Sequence, residues 1–455
     1  MKLTSALFPA SNRAVATLTV VSFLLAAVGR FAFIGLTPMS ESFIDLVIYM
    51  SGGRIVSHGL NPYDSTDGSE FRRKLRAEYA QAQPWLTETQ ERFDFYASGN
   101  LPLNLMFFGA IEHFLPGNPY AYRAAFALAD SLLSAVVVCF VFRAWRAAPS
   151  AANLLLAAGL GVFSPILFFC GVLQPEDKGL EILLLLSAVC FAWSRRWVLS
   201  AFLLAASIAY KGVGVFIAPL CLWYTAARPG CFREWLNRPA LARCAAYAGI
   251  VTVAVTVTFL PYPNGLLPMI THRLSANVGL EHPQLASIWR PVDAILPGHW
   301  KAVETVFIVL FIVLNLVGVL RKRFGPEVIT ASLLVLFLDV FLLQGALNRL
   351  NIGLLSAIVI IGAADLPFAL RLGAGYVAGS VLYLLPWMLW AARHWVAPLI
   401  SGAALGPSPG KPDSSLIGSY FALALVIWMT ALLAAKAAGG AKIRVGARIS
   451  SEGQA

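Results

Sequence analysis

Charged residues are scarce in this chain. Only 13% of its 455 residues are Asp, Glu, Lys or Arg, whereas 58% are hydrophobic. A soluble globular domain carries about 25% charged residues, which help to cover its surface. The composition therefore excludes a soluble protein and indicates an integral membrane protein.

Three further scarcities exclude particular chemistries. The six cysteines lie mostly in or beside apolar runs or in the basic segment 226–243, so they offer no disulfide framework. His272 and His282 have no nearby Cys and no helical i, i+4 spacing, so no metal site is expected there. A glycine-rich phosphate loop is absent, which argues against direct use of a nucleotide sugar or ATP. No cofactor is expected, and the requirement for a divalent metal stays open.

Apolar runs recur along the whole chain, and most approach the roughly 20 residues that cross about 30 Å of hydrocarbon. They lack the alternating pattern of a membrane barrel, so helices are predicted. We expect one all-α polytopic membrane domain, residues 1–455, with about 11–13 transmembrane helices. A signal peptide is the alternative for the first run, because Lys2 and Arg13 precede its apolar core. The predicted runs are 14–36, 121–142, 152–172, 179–194, 197–225, 244–262, 303–320, 326–345, 350–370, 373–395 and 416–436, with a shorter proline-bounded run at 101–116 that either spans or inserts partly.

Basic side chains predict the orientation of these helices, since short cytoplasmic loops carry an excess of Lys and Arg. Residues 37–100 then form a first large outer loop with interfacial helices, and residues 263–302 form a second. The net charge of +11 reflects this topology and contact with anionic membrane lipids, and no nucleic-acid partner is expected. The basic clusters placed in the cytoplasm are Arg143–Arg146, Arg195–Arg196, Arg228–Arg243, Arg321–Arg323 and Lys442–Arg448.

The stretch SFIDLVIYMSGGRIVS, residues 42–57, predicts a helix at the start of the first outer loop. Asp45 and Tyr49 lie one turn apart beside its apolar face, so their side chains should lie close together. Gly59 and the dipeptide Asn61-Pro62 predict a turn that ends this helix. Asp45 is a candidate for chemistry at the membrane interface, and the alternative is a solvated acid that caps the helix.

The run 197–225 lies between two basic loops, so it should cross the membrane an even number of times. Its 29 residues allow two short helices that meet at residues 209–214, with Lys211 at the tip. A lysine within an apolar stretch costs about 2.5–3.5 kcal/mol on insertion scales, which favours a functional role. The alternative is a lysine that snorkels from a single tilted helix.

The outer segments concentrate polar side chains on one side of the membrane. Arg290 and Arg349 lie at predicted outer boundaries, where a substrate phosphate or lipid headgroups would pair with them. Residues 65–98 predict a further outer helix, which would act as a lid or lie on headgroups. The other candidates for contacts with a substrate are Gln174, Asp177, Lys178 and His282.

The order of these features resembles a known family. Asp45 and Tyr49, followed by Gly59-x-Asn61-Pro62-Tyr63 after the first membrane helix, resemble the bacterial membrane mannosyltransferases of the glycosyltransferase-C superfamily, which use polyprenyl-phosphate-mannose. Ala209-Tyr210-Lys211 between two half-helices resembles the intramembrane lysine motif of that family. The resemblance extends over roughly residues 14–230.

Two other segments carry the same resemblance. Leu101-Pro102-Leu103 before an apolar run resembles the second hydrophobic segment of the family, which is bounded by prolines. Gly171 and Gln174 resemble its Gly-Gln signature, although Val172 and Leu173 separate the two residues here. This departure concerns the sugar and the acceptor more than the fold.

The resemblance implies an inverting glycosyltransferase that moves a sugar, with mannose the leading choice, from a polyprenyl-phosphate donor to a hydroxyl of a glycolipid or glycan acceptor. It places the protein in the bacterial cytoplasmic membrane, with the active site facing the periplasm. The attacking hydroxyl needs a base, which we assign to Asp45. The leaving phosphate needs cations, for which Lys211, Arg290 and Arg349 are predicted. The predicted substrate contacts are Tyr49, Asn61, Tyr63, Gln174, Asp177, Lys178 and His282.

Two other classes of function stay open. A lipid or oligosaccharide transporter would distribute ionisable residues through several central helices and show two related halves. A membrane glycan polymerase or ligase would share the many spans, but it usually has its large outer loop late in the chain. Here the polar residues cluster in outer segments and the large loop follows the first span, which favours the transferase.

Overall fold

The fold is helical. A computed structural model of the chain describes residues 13–36, 44–64, 66–82, 100–144, 151–168, 171–172, 175–226, 237–262, 283, 287–341, 351–401 and 415–439. Every regular element in this part of the chain is a helix, which confirms the all-α prediction. In chain order the α-helices are α1 Arg13–Leu36, α2 Ile44–Ser57, α3 Ser69–Ala82, α4 Pro102–Phe114, α5 Pro119–Cys139, α6 Ala151–Leu160, α7 Pro165–Phe168, α8 Lys178–Trp193, α9 Trp197–Lys211, α10 Gly214–Ala226, α11 Arg238–Phe259, α12 Arg290–Ile295, α13 Trp300–Leu320, α14 Pro326–Val335, α15 Ser356–Gly362, α16 Leu366–Ala391, α17 Ala397–Ser401 and α18 Ser415–Ala438.

Six helices among the described residues are long and apolar enough to cross a membrane. Three shorter apolar helices accompany them, at Trp197–Lys211, Gly214–Ala226 and Ile352–Gly362. These elements confirm a polytopic membrane protein, while the number of spans stays a prediction because it includes shorter apolar segments. The six long segments are Arg13–Gly35, Pro119–Phe142, Arg238–Phe259, Trp300–Leu320, Leu366–Pro386 and Ile417–Ala438.

Two apolar runs show where the sequence locates helix ends correctly and where it does not. The run 197–225 forms two helices, α9 and α10, and the chain reverses at Gly212, whose φ is +82°. The predicted span 350–370 is wrong at its end, because α15 stops at Gly362. Asp365 then caps α16 by accepting a hydrogen bond from the backbone N–H of Phe368 at 3.2 Å. Apolar residues on both sides of this break conceal it in the sequence.

Two glycines allow α2 and α4 to pack closely. A Cβ at Gly53 would lie 2.7 Å from the carbonyl oxygen of Phe108 and 2.6 Å from the hydroxyl of Tyr122. A Cβ at Gly109, on α4, would lie 2.6 Å from the side chain of Val56. With its 13 residues, α4 is about 20 Å long, shorter than the hydrocarbon layer. This length favours partial insertion for the predicted run 101–116.

The turn after α2 folds back onto α3. Gly59 has φ +73°, and the backbone N–H of Leu60 donates to the carbonyl of Ile55 at 3.1 Å, so the helix ends in a left-handed cap. The guanidinium of Arg72, on α3, donates to the carbonyls of Asn61, Asp64 and Asp67 at 2.7 to 2.9 Å. The helix predicted within 65–98 is confirmed for α3. The turn is therefore a rigid extension of α2.

Basic side chains and Lys211 lie at opposite ends of the α9–α10 hairpin. At the end away from Lys211, Arg195 donates to the carbonyl of Tyr224 at 2.7 Å. Arg243 donates there to the carbonyl of Ala226 at 3.2 Å. Two residues predicted to be cytoplasmic therefore cap the C-terminus of α10 on one side of the bundle, which leaves Lys211 on the other.

Replacing Gly53 by Ala should destabilise the α2–α4 pair, because the added methyl group meets backbone atoms that cannot move separately. We expect a loss of about 1–3 kcal/mol in the free energy of unfolding, seen as a lower thermal midpoint of the purified protein in detergent. Gly249→Ala is the control, since no atom lies within 4 Å of the new methyl group. Equal midpoints for the two variants would contradict the close packing at Gly53.

Candidate active site

The carboxylate of Asp177 is the centre of a buried polar cluster. Asp177 is fully buried and stands at the N-cap of α8, yet its side chain does not cap that helix. Oδ1 accepts hydrogen bonds from Lys211 Nζ at 2.7 Å and from the Tyr49 hydroxyl at 3.1 Å. Oδ2 accepts from Asn104 Nδ2 at 2.8 Å and from the Tyr210 hydroxyl at 2.9 Å. One acid thus joins α8 to α2, α4 and α9.

These contacts keep Asp177 ionised. Burial acts to raise the pKa of its carboxyl, but the ammonium groups of Lys211 and Lys178 and the hydrogen bonds outweigh burial. The pKa of Asp177 is therefore held below its ordinary value. An acid with so many donors is a fixed counter-ion and has little capacity to accept a proton.

Asp45 and Glu176 form a second acidic unit beside Asp177. Their side chains share a hydrogen bond, which two carboxyl groups can form only when one of them carries a proton. Glu176 is 2% exposed, and burial together with the charge of Asp45 raises the pKa of Glu176 to about 8. Loss of hydration also raises the pKa of Asp45, which Lys178 and Lys211 partly offset. The raised pKa of Glu176 favours a proton on Glu176, and Asp45 then accepts the hydrogen bond.

Two ammonium groups face these acids. Lys178 Nζ lies 3.9 Å from Glu176 Oε2 and 3.9 Å from Asp177 Oδ1. Lys211 Nζ lies 5.8 Å from the centre of the Tyr49 ring, besides its ion pair with Asp177. The side chains of Lys178 and Lys211 are 9% and 10% exposed. Both cations are thus held in a low-dielectric setting, where their attraction for an anion is strong.

The segment that carries Glu176, Asp177 and Lys178 is held at both ends by one buried acid. A Cβ at Gly171 would lie 1.6 Å from Oδ2 of Asp130, and a Cβ at Gly179 would lie 1.5 Å from its Oδ1. Only glycine allows such a close approach. This gives a steric reason for the glycine at position 171, which the sequence analysis singled out.

Two buried arginines complete the support of this segment. Arg30 Nε, on α1, lies 3.9 Å from Asp130 Oδ2, and Arg30 also donates to the carbonyl of Val162 at 3.3 Å. Arg123, on α5, donates to the carbonyl of Val172 at 3.2 Å. α1 and α5 therefore act as a platform under the polar segment.

The structure brings together five of the predicted residues and places others elsewhere. The side-chain oxygen of Asn61 accepts from the backbone N–H of Tyr63 at 3.0 Å, and the Tyr63 hydroxyl donates to the carbonyl of Asn100 at 2.6 Å. These contacts build the turn, and a role for either residue in substrate binding stays a prediction. Arg290 begins α12, where its described ion pair is with Asp293 at 4.0 Å. The residues brought together are Asp45, Tyr49, Asp177, Lys178 and Lys211.

Three predicted residues, Gln174, His282 and Arg349, lie outside the described residues. Three members of the cluster have no role predicted from the sequence, namely Asn104, Tyr210 and Glu176. The signal that would have found Asn104 is an amide within an apolar run. The signal for Glu176 is its place in the charged tripeptide 176–178.

No set of three or more His, Cys, Asp or Glu side chains is arranged to hold a metal ion in the part of the chain that the structure describes. The acids of the cluster are bonded to lysines, tyrosines and each other. The chemistry that these groups offer directly is a carboxylate base beside two ammonium groups.

Replacing Asp177 by Asn should destabilise the folded protein, because Lys211 loses its buried counter-ion. We expect a loss of about 3–5 kcal/mol in the free energy of unfolding, measured as a lower thermal midpoint. Adding Lys211→Met removes the unpaired charge and should recover part of that loss.

The control for these two variants is Glu78→Gln, which breaks the ion pair between Glu78 and Arg54. The side chain of Glu78 is 59% exposed. An exposed pair contributes about 0–1 kcal/mol, so this midpoint should hardly change. A double variant less stable than Asp177→Asn alone would contradict the charge pairing.

Comparison with known proteins gives a family match over the segment that contains this site. Residues 37–227 match the family model of the alpha-(1->6)-mannopyranosyltransferase N-terminal domain. The matched stretch contains every member of the Asp177 cluster. No curated protein matches the chain. The match confirms the resemblance to a membrane mannosyltransferase family, and the part of the chain that builds the candidate active site is similar to the N-terminal domain of the alpha-(1->6)-mannopyranosyltransferases.

Proposed function

We propose that this protein is an inverting mannosyltransferase, which uses polyprenyl-phosphate-mannose and a hydroxyl of a lipid-linked or glycan acceptor at the outer face of the bacterial cytoplasmic membrane. The observation that carries the proposal is the partly exposed residue Asp45 in one cluster with two nearly buried lysines, within the segment that matches the mannosyltransferase domain. A carboxylate and two cations are the groups that sugar transfer from a phosphate requires.

The proposed reaction is a single displacement. The acceptor oxygen attacks the anomeric carbon of mannose from the face opposite the phosphate, and a new C–O bond forms. The bond between that carbon and the phosphate oxygen breaks, and polyprenyl phosphate leaves with the electron pair. The proton of the acceptor hydroxyl passes to the Asp45 carboxylate. One inversion follows from one displacement.

Asp45 fits the base better than Asp177 does. Asp177 has four donors to its two oxygens, and its pKa is lowered. Asp45 is partly exposed, and loss of hydration raises its pKa. A base with a raised pKa accepts a proton more readily, so the two acids have separate roles.

Lys178 and Lys211 are the proposed partners of the leaving phosphate. An ammonium group has three donors, and the described hydrogen bonds of Lys211 use one of them, to Asp177. Asp177 thereby fixes the position of the cation before the donor arrives. Charge develops on the phosphate as the bond breaks, and a cation that is already in place stabilises that charge without reorganisation.

Replacing Asp45 by Asn should abolish transfer while the protein stays folded, because an amide cannot accept the proton. We expect a loss of at least about 10²-fold in kcat. The measurement uses protein in lipid vesicles, radiolabelled polyprenyl-phosphate-mannose and a lipid extract that contains acceptors. In the wild type, activity should fall with decreasing pH as Asp45 becomes protonated, at a pH above its ordinary pKa of 3.8.

Asp64→Asn is the matched control, since Asp64 is an exposed turn residue bonded to Thr66. Transfer by Asp45→Asn at the wild-type rate would remove Asp45 as the base. If the wild type transferred no sugar while labelled lipid crossed the bilayer, the protein would be a carrier.

Replacing Lys178 by Gln should slow transfer from the donor by about 10²–10³-fold in kcat, the effect of removing one group that stabilises developing charge. Lys74→Gln serves as the control, because Lys74 is exposed and pairs with Glu70 on α3. The same transfer assay measures both variants. An unchanged kcat in Lys178→Gln would show that this lysine does not contact the phosphate.

A further inference from the structure

Glu176 is the one acid of the cluster whose chemistry the proposed reaction does not use. It precedes Asp177 in the segment supported by Asp130, it is 2% exposed, and its side chain shares a hydrogen bond with Asp45. Lys178 Nζ lies 3.9 Å from Glu176 Oε2. A buried glutamate in contact with the base must affect the base.

The hydrogen bond determines the state of the pair. Two ionised carboxylates would repel each other, so the contact requires one proton between them. Glu176 is the more buried partner, whereas Asp45 is partly exposed. Burial and the charge of Asp45 raise the pKa of Glu176 to about 8, which agrees with a proton on Glu176.

We propose that Glu176 is a positioning residue for Asp45, whose protonated carboxyl donates a hydrogen bond to the Asp45 carboxylate and orients it toward the acceptor hydroxyl. This inference rests on the proposed function, because it needs Asp45 to be the base. The Glu176 proton itself is not transferred in the reaction. The acceptor proton goes to the other oxygen of Asp45, and Glu176 keeps its own.

Ionisation of Glu176 should switch transfer off. The hydrogen bond to Asp45 would be lost, and a further negative charge would lie beside Asp45 and Asp177. That charge would repel the anionic donor and attract the ammonium of Lys178, only 3.9 Å away, from the phosphate. Transfer should therefore fall as the pH rises through about 8.

Other titratable groups face Glu176 and Asp45, and loss of their protons would also lower transfer at high pH. Lys178 begins α8 and Lys211 ends α9, and either would lose its charge at high pH. Tyr49, on α2, does not interfere, because burial raises the pKa of its phenol further. A Glu176 variant separates these sources, since replacing Glu176 leaves both lysines in place.

Folding stability gives a second readout that does not need activity. The ordinary pKa of Glu is 4.5, and that of Glu176 is about 8. Between these values the folded protein holds a proton that the unfolded chain has released. The contribution of Glu176 to the free energy of unfolding therefore decreases as the pH rises through this window, and it is constant above about pH 8. Removing the carboxyl should flatten that slope.

The experiment compares the wild type with Glu176→Gln, Glu176→Ala and Glu112→Gln in the transfer assay across the neutral and alkaline range. Gln keeps a donor toward Asp45 and cannot ionise, so transfer should stay within about tenfold of wild type without the alkaline decrease near pH 8. Ala removes the donor and should lower kcat by more than about tenfold with little change in the KM for the donor. Glu112 is a buried glutamate bonded to Tyr122 and Gly117, and its variant should keep the wild-type profile.

The outcomes separate this inference from the proposed function. An alkaline decrease in Glu176→Gln equal to that of an active wild type would overturn the role of Glu176 and leave the transferase intact. If the wild type shows no transfer, the proposed function fails. Thermal midpoints measured across the pH range then test only whether Glu176 carries a proton. If the thermal midpoint of Glu176→Gln depends less on pH than that of the wild type, the result supports a proton on Glu176. An unchanged dependence on pH overturns it. Glu176→Ala gives the same thermal test if the Gln variant does not fold.

Discussion

The buried carboxylate of Asp177 is the interaction on which the rest of the site depends. A charge removed from water is unstable unless several donors and a counter-ion compensate for the lost hydration. Here Tyr49, Asn104, Tyr210 and Lys211 supply them from three helices. Because each donor must reach the same two oxygens, the relative positions of α2, α4, α8 and α9 are fixed together.

A second constraint lies beneath this cluster. Asp130 is close to the backbone at both Gly171 and Gly179, so both glycines lie directly against α5. Arg30 pairs with Asp130 from α1, and α1 packs against α5. The membrane helices thus determine where Glu176, Asp177 and Lys178 lie. The buried ion pair within these apolar helices holds its partners together, because removal of either one would leave an uncompensated charge.

The sequence predicts the parts of this structure that strong local signals specify. Asp45 and Tyr49 follow from helical spacing, and the hairpin at Lys211 follows from a 29-residue run between basic loops that contains Gly212. The contacts of Asn104 and Tyr210 with Asp177 cannot be predicted, because neutral polar side chains occur in many buried helices and carry no mark of their partner. The break before Asp365 has no signal in the sequence, because Ala363 and Ala364 continue the apolar pattern. Contacts between residues far apart in sequence, such as Glu176 with Asp45, have no local signal.

The arrangement of charge explains why Asp45, Glu176 and Asp177 lie together when the proposed reaction needs one base. With Glu176 protonated, the charges of Asp45 and Asp177 offset those of Lys178 and Lys211, and the buried Glu181 adds a further attraction for Lys211. A base in contact only with lysines would have a low pKa and would accept a proton poorly. Asp177 takes up the direct ion pair with Lys211 at 2.7 Å, which leaves Asp45 less strongly paired and more basic. In the proposed reaction, Asp177 therefore holds a cation in place, Glu176 carries a proton, and Asp45 is the base.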